Sequence, residues 1–126
     1  MEVYGIGTDI ISIERMAGLV NRKGGRTLAR LFTDAEREYC ERYVKSVERY
    51  AGRFAAKEAV SKALGTGIAG GVSFKGVEIV HDEFGKPMVV LHGSTKQAAE
   101  AKGIRLIHVS ISHERTYAVA YATALC

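Results

Sequence analysis

Phe54-Ala55-Ala56-Lys57-Glu58-Ala59-Val60-Ser61-Lys62-Ala63-Leu64-Gly65 is the most informative stretch of this chain. Its Ala, Glu, Lys and Leu are strong helix formers, and Gly65 suits the position just past a helix end. At about 100° per residue, Val47, Ala51, Phe54 and Ala55 fall on one stripe, and Glu58 and Lys62 continue it. Charge at a packing position is costly unless it is paired or binds something charged. A surface Glu→Lys pair at i,i+4 accounts for it at about 0.2–0.5 kcal/mol. A ligand-facing pair is the alternative, and the rest of the chain has to decide between them.

Upstream, Val3 to Gly7 alternates apolar side chains with glycine and reads as a short strand ending at Thr8-Asp9. Ser12 caps a helix carrying Ile13, Met16, Ala17 and Val20 inward, and Gly24-Gly25 breaks it. A short helical segment follows with Leu28, Leu31 and Phe32. Thr33-Asp34-Ala35-Glu36 is a capping box opening a helix to about Val44, and Ser46 caps the long helix through Leu64.

Downstream, Val72-Ser73-Phe74 and Val77 to Val80 read as one strand bulged at Gly76, Asp82 to Pro87 as a turn, and Met88 to Leu91 as a returning strand. Ser94-Thr95-Lys96-Gln97 reads as a second capping box, with Gly103 closing its helix. Ile104 to Ser112 and Thr116 to Ala122 form a hairpin about His113-Glu114-Arg115. The order β-α-α-α-β-β-α-β-β, helices first and antiparallel strands later, argues for an α+β fold.

The chain has 126 residues, 47% hydrophobic and 25% charged, which predicts one globular domain over residues 1–126. No apolar run approaches the 18 or so residues of a membrane span, and the N-terminus lacks the charge-then-apolar pattern of a signal peptide. Cys40 and Cys126 are lone cysteines, which favours a reducing compartment and a cytoplasmic location. Net charge is +4, with a pI of about 9.2. Arg15, Arg22, Lys23, Arg26, Arg30, Arg37, Arg42, Lys45, Arg49 and Arg53 all lie in the first half. That balance favours an acidic partner or a phosphorylated ligand. An RNA-binding module carries similar charge, but the chain lacks aromatic–basic interleaving of the RNP type, and no nucleic-acid or membrane partner is expected.

Asp9 and Glu58 could supply two oxygen ligands, which suits Mg²⁺ with water and substrate phosphate completing its shell. Gly65 to Gly71 is glycine-rich, but it follows a helix and precedes a strand, the reverse of a Walker or Rossmann loop. Cys40 reads as packing, His113 as a phosphate ligand or a polar turn residue, and Tyr4, Tyr117 and Tyr121 as sheet packing.

Taken together, Gly5-Ile6-Gly7-Thr8-Asp9-Ile10, Arg53-Phe54-Ala55-Ala56-Lys57-Glu58-Ala59 with Lys62-Ala63, and Gly65-Thr66-Gly67-Ile68 resemble the holo-acyl-carrier-protein synthase family. Asp82 to Pro87 and Val109-Ser110-Ile111-Ser112-His113 extend the match over essentially the whole chain. The resemblance implies a phosphopantetheinyl transferase fold: an antiparallel sheet packed on helices, one of them long, in a homotrimer with active sites between subunits. It implies Mg²⁺-dependent transfer of 4′-phosphopantetheine from coenzyme A to a serine of apo acyl carrier protein, releasing adenosine 3′,5′-bisphosphate and serving fatty acid biosynthesis. Asp9 and Glu58 match the metal ligands. Lys62 matches the lysine on the phosphates, and Glu58 or a metal-held water takes the serine proton. Arg53, Ser61, Lys62, Gly65, Lys86, Pro87 and His113 match the coenzyme A site, and Arg15, Arg22 and Arg26 the basic surface that docks the carrier protein. The chain departs from the family at Ile11-Ser12-Ile13, where many members carry Val-Glu-Ile, which removes one acid near the metal. His113 is absent from some members.

Overall fold

A computed structural model describes residues 1–126, all but the side chain of Lys23, which lies outside the described residues. Eleven elements are named here in chain order. β1 (Val3–Ser12), β4 (Leu106–His113) and β5 (Tyr117–Leu125) form an antiparallel sheet in the order β1-β5-β4. β2 (Val77–His81) and β3 (Pro87–Leu91) form a separate antiparallel pair. The helices are α1 (Ile13–Val20), α2 (Arg26–Leu31), α3 (Asp34–Glu41), α4 (Ser46–Ala63) and α5 (Gly93–Ala101), with a short 3-10 turn before α2. The α+β class holds, and the short segment around Leu28 is a helix in its own right.

The three-stranded sheet receives α4 on its inner face because that face is built from very small residues. On β5, Ala118, Ala120, Ala122 and Ala124 all point inward and are buried. On β1, Gly5 and Gly7 lie so close to the helix that a Cβ at either would fall on the carbonyls of Ala63 and Ala59. Ala51, Ala55, Ala56, Ala59 and Ala63 answer from α4. The inward row of β1 then continues through Asp9 to buried Ile11, so the strand does not end at Thr8-Asp9. It runs on to Ser12, pairing Asp9 with Ala120. Asp9 is a carboxylate in a row otherwise made for packing.

A fully buried ion pair ties α4 to the rest. Lys57 Nζ lies 2.7 Å from Glu36 Oε1 and donates to the Phe74 and Val77 carbonyls at 2.8 and 2.5 Å. Glu36 also accepts from the amides of Thr33 at 2.9 Å and Ile79 at 2.9 Å. The Thr33 capping box is therefore present, and its glutamate does a second job.

Four further boundaries differ from the sequence reading. Val72 to Gly76 is not strand: the Ser73 amide donates to Thr95 Oγ1 and the Gly76 amide to Ser73 Oγ, so side chains replace a ladder. The second capping box does not form, because Ser94 Oγ donates to the Gly71 carbonyl and α5 starts at Gly93. α3 stops at Glu41, the next amides turning back on Tyr39 and Cys40, and leaves Val44 fully exposed. Ser46 is already helical; the cap position is Lys45, with no side-chain capping bond. Ser12, by contrast, caps α1 as read, accepting from the Arg15 amide at 3.0 Å.

Lys57→Met should cost about 3–5 kcal/mol in urea unfolding, since it strands a buried carboxylate. A loss under about 1 kcal/mol would mean that the pair is not holding these elements together.

Candidate active site

α4 and β1 bring one group of charges together. Lys62 Nζ donates to the Thr8 carbonyl at 2.9 Å and pairs with Asp9 Oδ1 at 3.1 Å. The sequence pairing of Glu58 with Lys62 is not the contact that forms. Among the described residues, the Glu58 carboxylate has no ion pair or side-chain hydrogen bond; only its backbone carbonyl is used, accepting from Ser61 Oγ at 2.7 Å. Its carboxyl is held above the ordinary carboxylate range, first by partial burial and then by the Asp9 carboxylate, against the opposing pull of Lys62 and Arg15. Arg15, on the first turn of α1, thus borders the same cluster. An unpartnered carboxylate beside a second one is the donor set a hard cation takes. Among the described residues no three His, Cys, Asp or Glu side chains converge as a metal cluster. Asp9 and Glu58 nevertheless fit Mg²⁺, which needs only one or two carboxylates. Ser12 Oγ is spent on capping α1.

A second group lies at the opposite edge of the sheet. Asp9 on β1, Ala120 on β5 and Ile111 on β4 are in register, so two strand spacings of about 5 Å separate the edges. Beyond β4 is a cavity of about 150 Å³ lined by Tyr39, Arg49, Arg53, His81, Pro87 and His113, among others. Arg53 is buried to 3% exposure. His113, the last residue of β4, has Nδ1 3.7 Å from Glu48 Oε2, so it belongs to the strand end more than to the turn.

The remaining candidates are scattered. Ser61 is fully buried. Gly65 takes a positive φ of 87° where α4 ends. The amides of Gly65, Gly67, Ala69 and Val72 bond to carbonyls of Lys62, Ser61, Gly67 and Ala69, so these four are not a phosphate cradle. Lys86 is exposed on the β2–β3 turn, whose amide Asp82 Oδ1 holds. Arg22 and Arg26 are exposed on either side of Gly24-Gly25. Cys40 is buried and its thiol is pushed up to about 12 by burial, which suits packing and not nucleophilic work. The sequence reading missed Tyr39, Arg49 and His81. For Tyr39 and Arg49 a signal was available: Tyr39 on α3 and Tyr43 just past its end, and Arg49 and Arg53 on α4, each recur at i,i+4.

The model of the 4′-phosphopantetheinyl transferase superfamily matches residues 5–122. The chain belongs to this superfamily. A holo-[acyl-carrier-protein] synthase of Vibrio atlanticus is 49% identical over 120 residues, 95% of each chain. The crystal structure of the Neisseria meningitidis holo-[acyl-carrier-protein] synthase superposes with a TM-score of 0.91 at 38% identity, over 99% of this chain and 100% of that one. The Helicobacter pylori enzyme, solved in complex with coenzyme A, superposes with a TM-score of 0.84 at 34% identity, over 95% and 99%. The phosphopantetheinyl transferase reading of the sequence is borne out, and no helix is long and apolar enough to cross a membrane.

The basic cavity carries a pH signature. Burial, then the charges of Arg53 and Arg49, push His81 down to about 4 from an ordinary 6.5, with only Asp82 opposing. Between those values the unfolded chain holds the proton and the folded chain does not, so stability should fall as pH drops from about 6.5 to about 4. The thermal midpoint of His81→Gln should decline less over that interval than wild type. Parallel declines would mean that His81 is not the group responsible.

Proposed function

We propose that the whole chain, residues 1–126, acts as one holo-acyl-carrier-protein synthase domain. It moves 4′-phosphopantetheine from coenzyme A to a serine of apo acyl carrier protein, in service of fatty acid biosynthesis. The observation that carries this reading is the convergence of Asp9, unpartnered Glu58 and Lys62 at the junction of β1 and α4 in a member of this superfamily.

Asp9 and Glu58 would hold Mg²⁺, which when bound supplies charge neutralisation on the pyrophosphate. The serine Oγ attacks the phosphorus that bears pantetheine. The bridging P–O bond breaks, and adenosine 3′,5′-bisphosphate leaves with the bridging oxygen and its electron pair. The serine proton passes to Glu58, directly or through a water. Lys62 exchanges part of its contact with Asp9 for phosphate oxygens and offsets charge on the leaving group. Phosphoryl transfer of this kind depends on positioning and electrostatics more than on covalent participation.

Arg53, Pro87 and His113 would hold more of coenzyme A, with Ser61, Gly65 and Lys86 as flanking contacts. Because this group lies across the sheet from Asp9, a homotrimer joining the acidic edge of one subunit to the basic edge of the next is the assembly proposed. The outer face of the sheet supports it: Tyr4, Ile6, Ile10, Tyr117, Val119 and Tyr121 are all exposed there, and clustered exposed apolar side chains mark interaction surfaces. A cytoplasmic location agrees with the two free cysteines.

Purified protein with coenzyme A, Mg²⁺ and apo carrier protein should add one phosphopantetheine group by mass spectrometry, and EDTA should stop it. Glu58→Gln should lose at least about a hundredfold in kcat while folding normally, and wild type should sediment as a trimer. No mass shift with any bacterial carrier protein would sink the reading; near-normal turnover in Glu58→Gln would remove that residue from the site; an active monomer would remove the assembly.

Arg15, Arg22 and Arg26 are the proposed docking surface for the acidic carrier protein. Arg15→Glu should weaken carrier-protein binding by about tenfold or more, and coenzyme A binding far less, because rim charges serve partner complementarity. Equal losses, measured by calorimetry, would refute a separate docking surface.

A further inference from the structure

Two arginines one turn apart on α4 lie over two tyrosines, Tyr39 on α3 and Tyr43 just past its end. The guanidinium carbon of Arg53 is 3.9 Å from the Tyr39 ring centroid, and that of Arg49 is 4.0 Å from the Tyr43 centroid. Like charges at i,i+4 repel, and the ring faces compensate each cation in part. His81, at the end of β2, completes the arrangement. Its ring stacks on Tyr39 with centroids 4.4 Å apart and planes 6° apart. Arg53 Nη2 lies 2.8 Å from His81 Nδ1 and 3.0 Å from Nε2. Both nitrogens can be that close at once only when Nη2 stands over the face of the ring, so the imidazole meets the guanidinium as a second aromatic surface.

The partners of Arg53 are all uncharged. Nη1 donates to the Arg49 carbonyl at 3.3 Å, and Nε has no partner among the described residues. No carboxylate lies within ion-pair distance of Arg53 among the described residues. The acid in the cavity lining, Glu48, faces His113. A guanidinium buried to 3% exposure without an anion is costly. The cost becomes intelligible where an anion arrives, and the ligand of the transferase reading carries phosphates.

We propose that His81 is a positioning residue which, stacked on Tyr39, presets the Arg53 guanidinium to receive a phosphate of coenzyme A. The proposal rests on the transferase reading above and deepens it. His81 does not touch the reacting atoms. It gives Arg53 an aromatic face that consumes no positive charge, and that face holds the guanidinium beside Tyr39.

The test compares wild type, His81→Gln and His81→Phe in steady-state transfer. His81→Gln loses the ring; it should raise KM for coenzyme A about tenfold and leave kcat within about twofold. His81→Phe keeps an aromatic face and should keep KM within about threefold of wild type. A KM unchanged in His81→Gln overturns the proposal, as does an equal loss in kcat. His81→Met, which also lacks a ring, replaces His81→Gln should that chain fail to fold. If wild type performs no transfer, the function falls but His81 is still decided by calorimetry with adenosine 3′,5′-bisphosphate. Binding about tenfold weaker in His81→Gln sustains its role; equal binding, or none in wild type, overturns it.

Discussion

The Lys57 ammonium is the point on which the packing of this chain depends. It is buried to zero exposure, and it survives there because a carboxylate and two carbonyls surround it. Burial alone drives its pKa down, and Glu36 opposes that drop. The carboxylate reaches further than one ion pair: its oxygens also take the amide at the head of α3 and an amide of β2. One pair therefore fixes α3, β2 and the turn before β2 against α4. Surface pairs such as Arg42–Glu38, worth about 0.2–1 kcal/mol, are minor by comparison.

With α4 held from behind, its front can be pressed unusually close to the sheet. Glycine on β1, alanine on β5 and alanine on α4 remove the side-chain layer that normally separates helix from strand. Closeness of that kind sets the chemistry. A lysine on the last turn of the helix can then reach both a backbone carbonyl and a carboxylate of the adjacent strand. With side chains at Gly5 and Gly7 the strand would be held away, and Asp9 would face a gap instead of Lys62.

Much of this was readable in the residues, and two of the misreadings share a cause. The α+β order, the Thr33 box, the Ser12 cap and the end of α4 at Gly65 rest on local chemistry, and local chemistry is written in short stretches. Where a hydroxyl or amide was claimed by a distant partner, the reading failed: Ser94 serves the Gly71 carbonyl, and the Ser73 amide goes to Thr95. The stripe on α4 was half right. Glu58 and Lys62 do face the candidate site, but the helix is buried nearly all round, and its most deeply buried charge, Lys57, lies off that stripe. The alternation Gly5, Gly7, Asp9, Ile11 held a sharper signal, a carboxylate on the inward row of a strand. His81 could not have been found from spacing, since only folding brings β2 against α3.

The three cations of α4 show how a protein decides which charges a ligand can use. Lys57 meets a carboxylate at 2.7 Å inside the core, so its charge is consumed by the fold. Lys62 meets Asp9 at 3.1 Å, but its side chain is about half exposed, so water and any arriving anion compete for it. Arg53 meets an imidazole, a carbonyl and an aromatic face, none of which cancels its charge. The order of availability follows partner chemistry and not burial, since Lys57 and Arg53 are both buried. Keeping Arg53 free also requires keeping it away from Asp9 and Glu58, which would otherwise neutralise it in the unliganded chain. Their separation to opposite edges of one sheet meets that requirement, and in the assembly proposed above a neighbouring subunit would bring the two edges together.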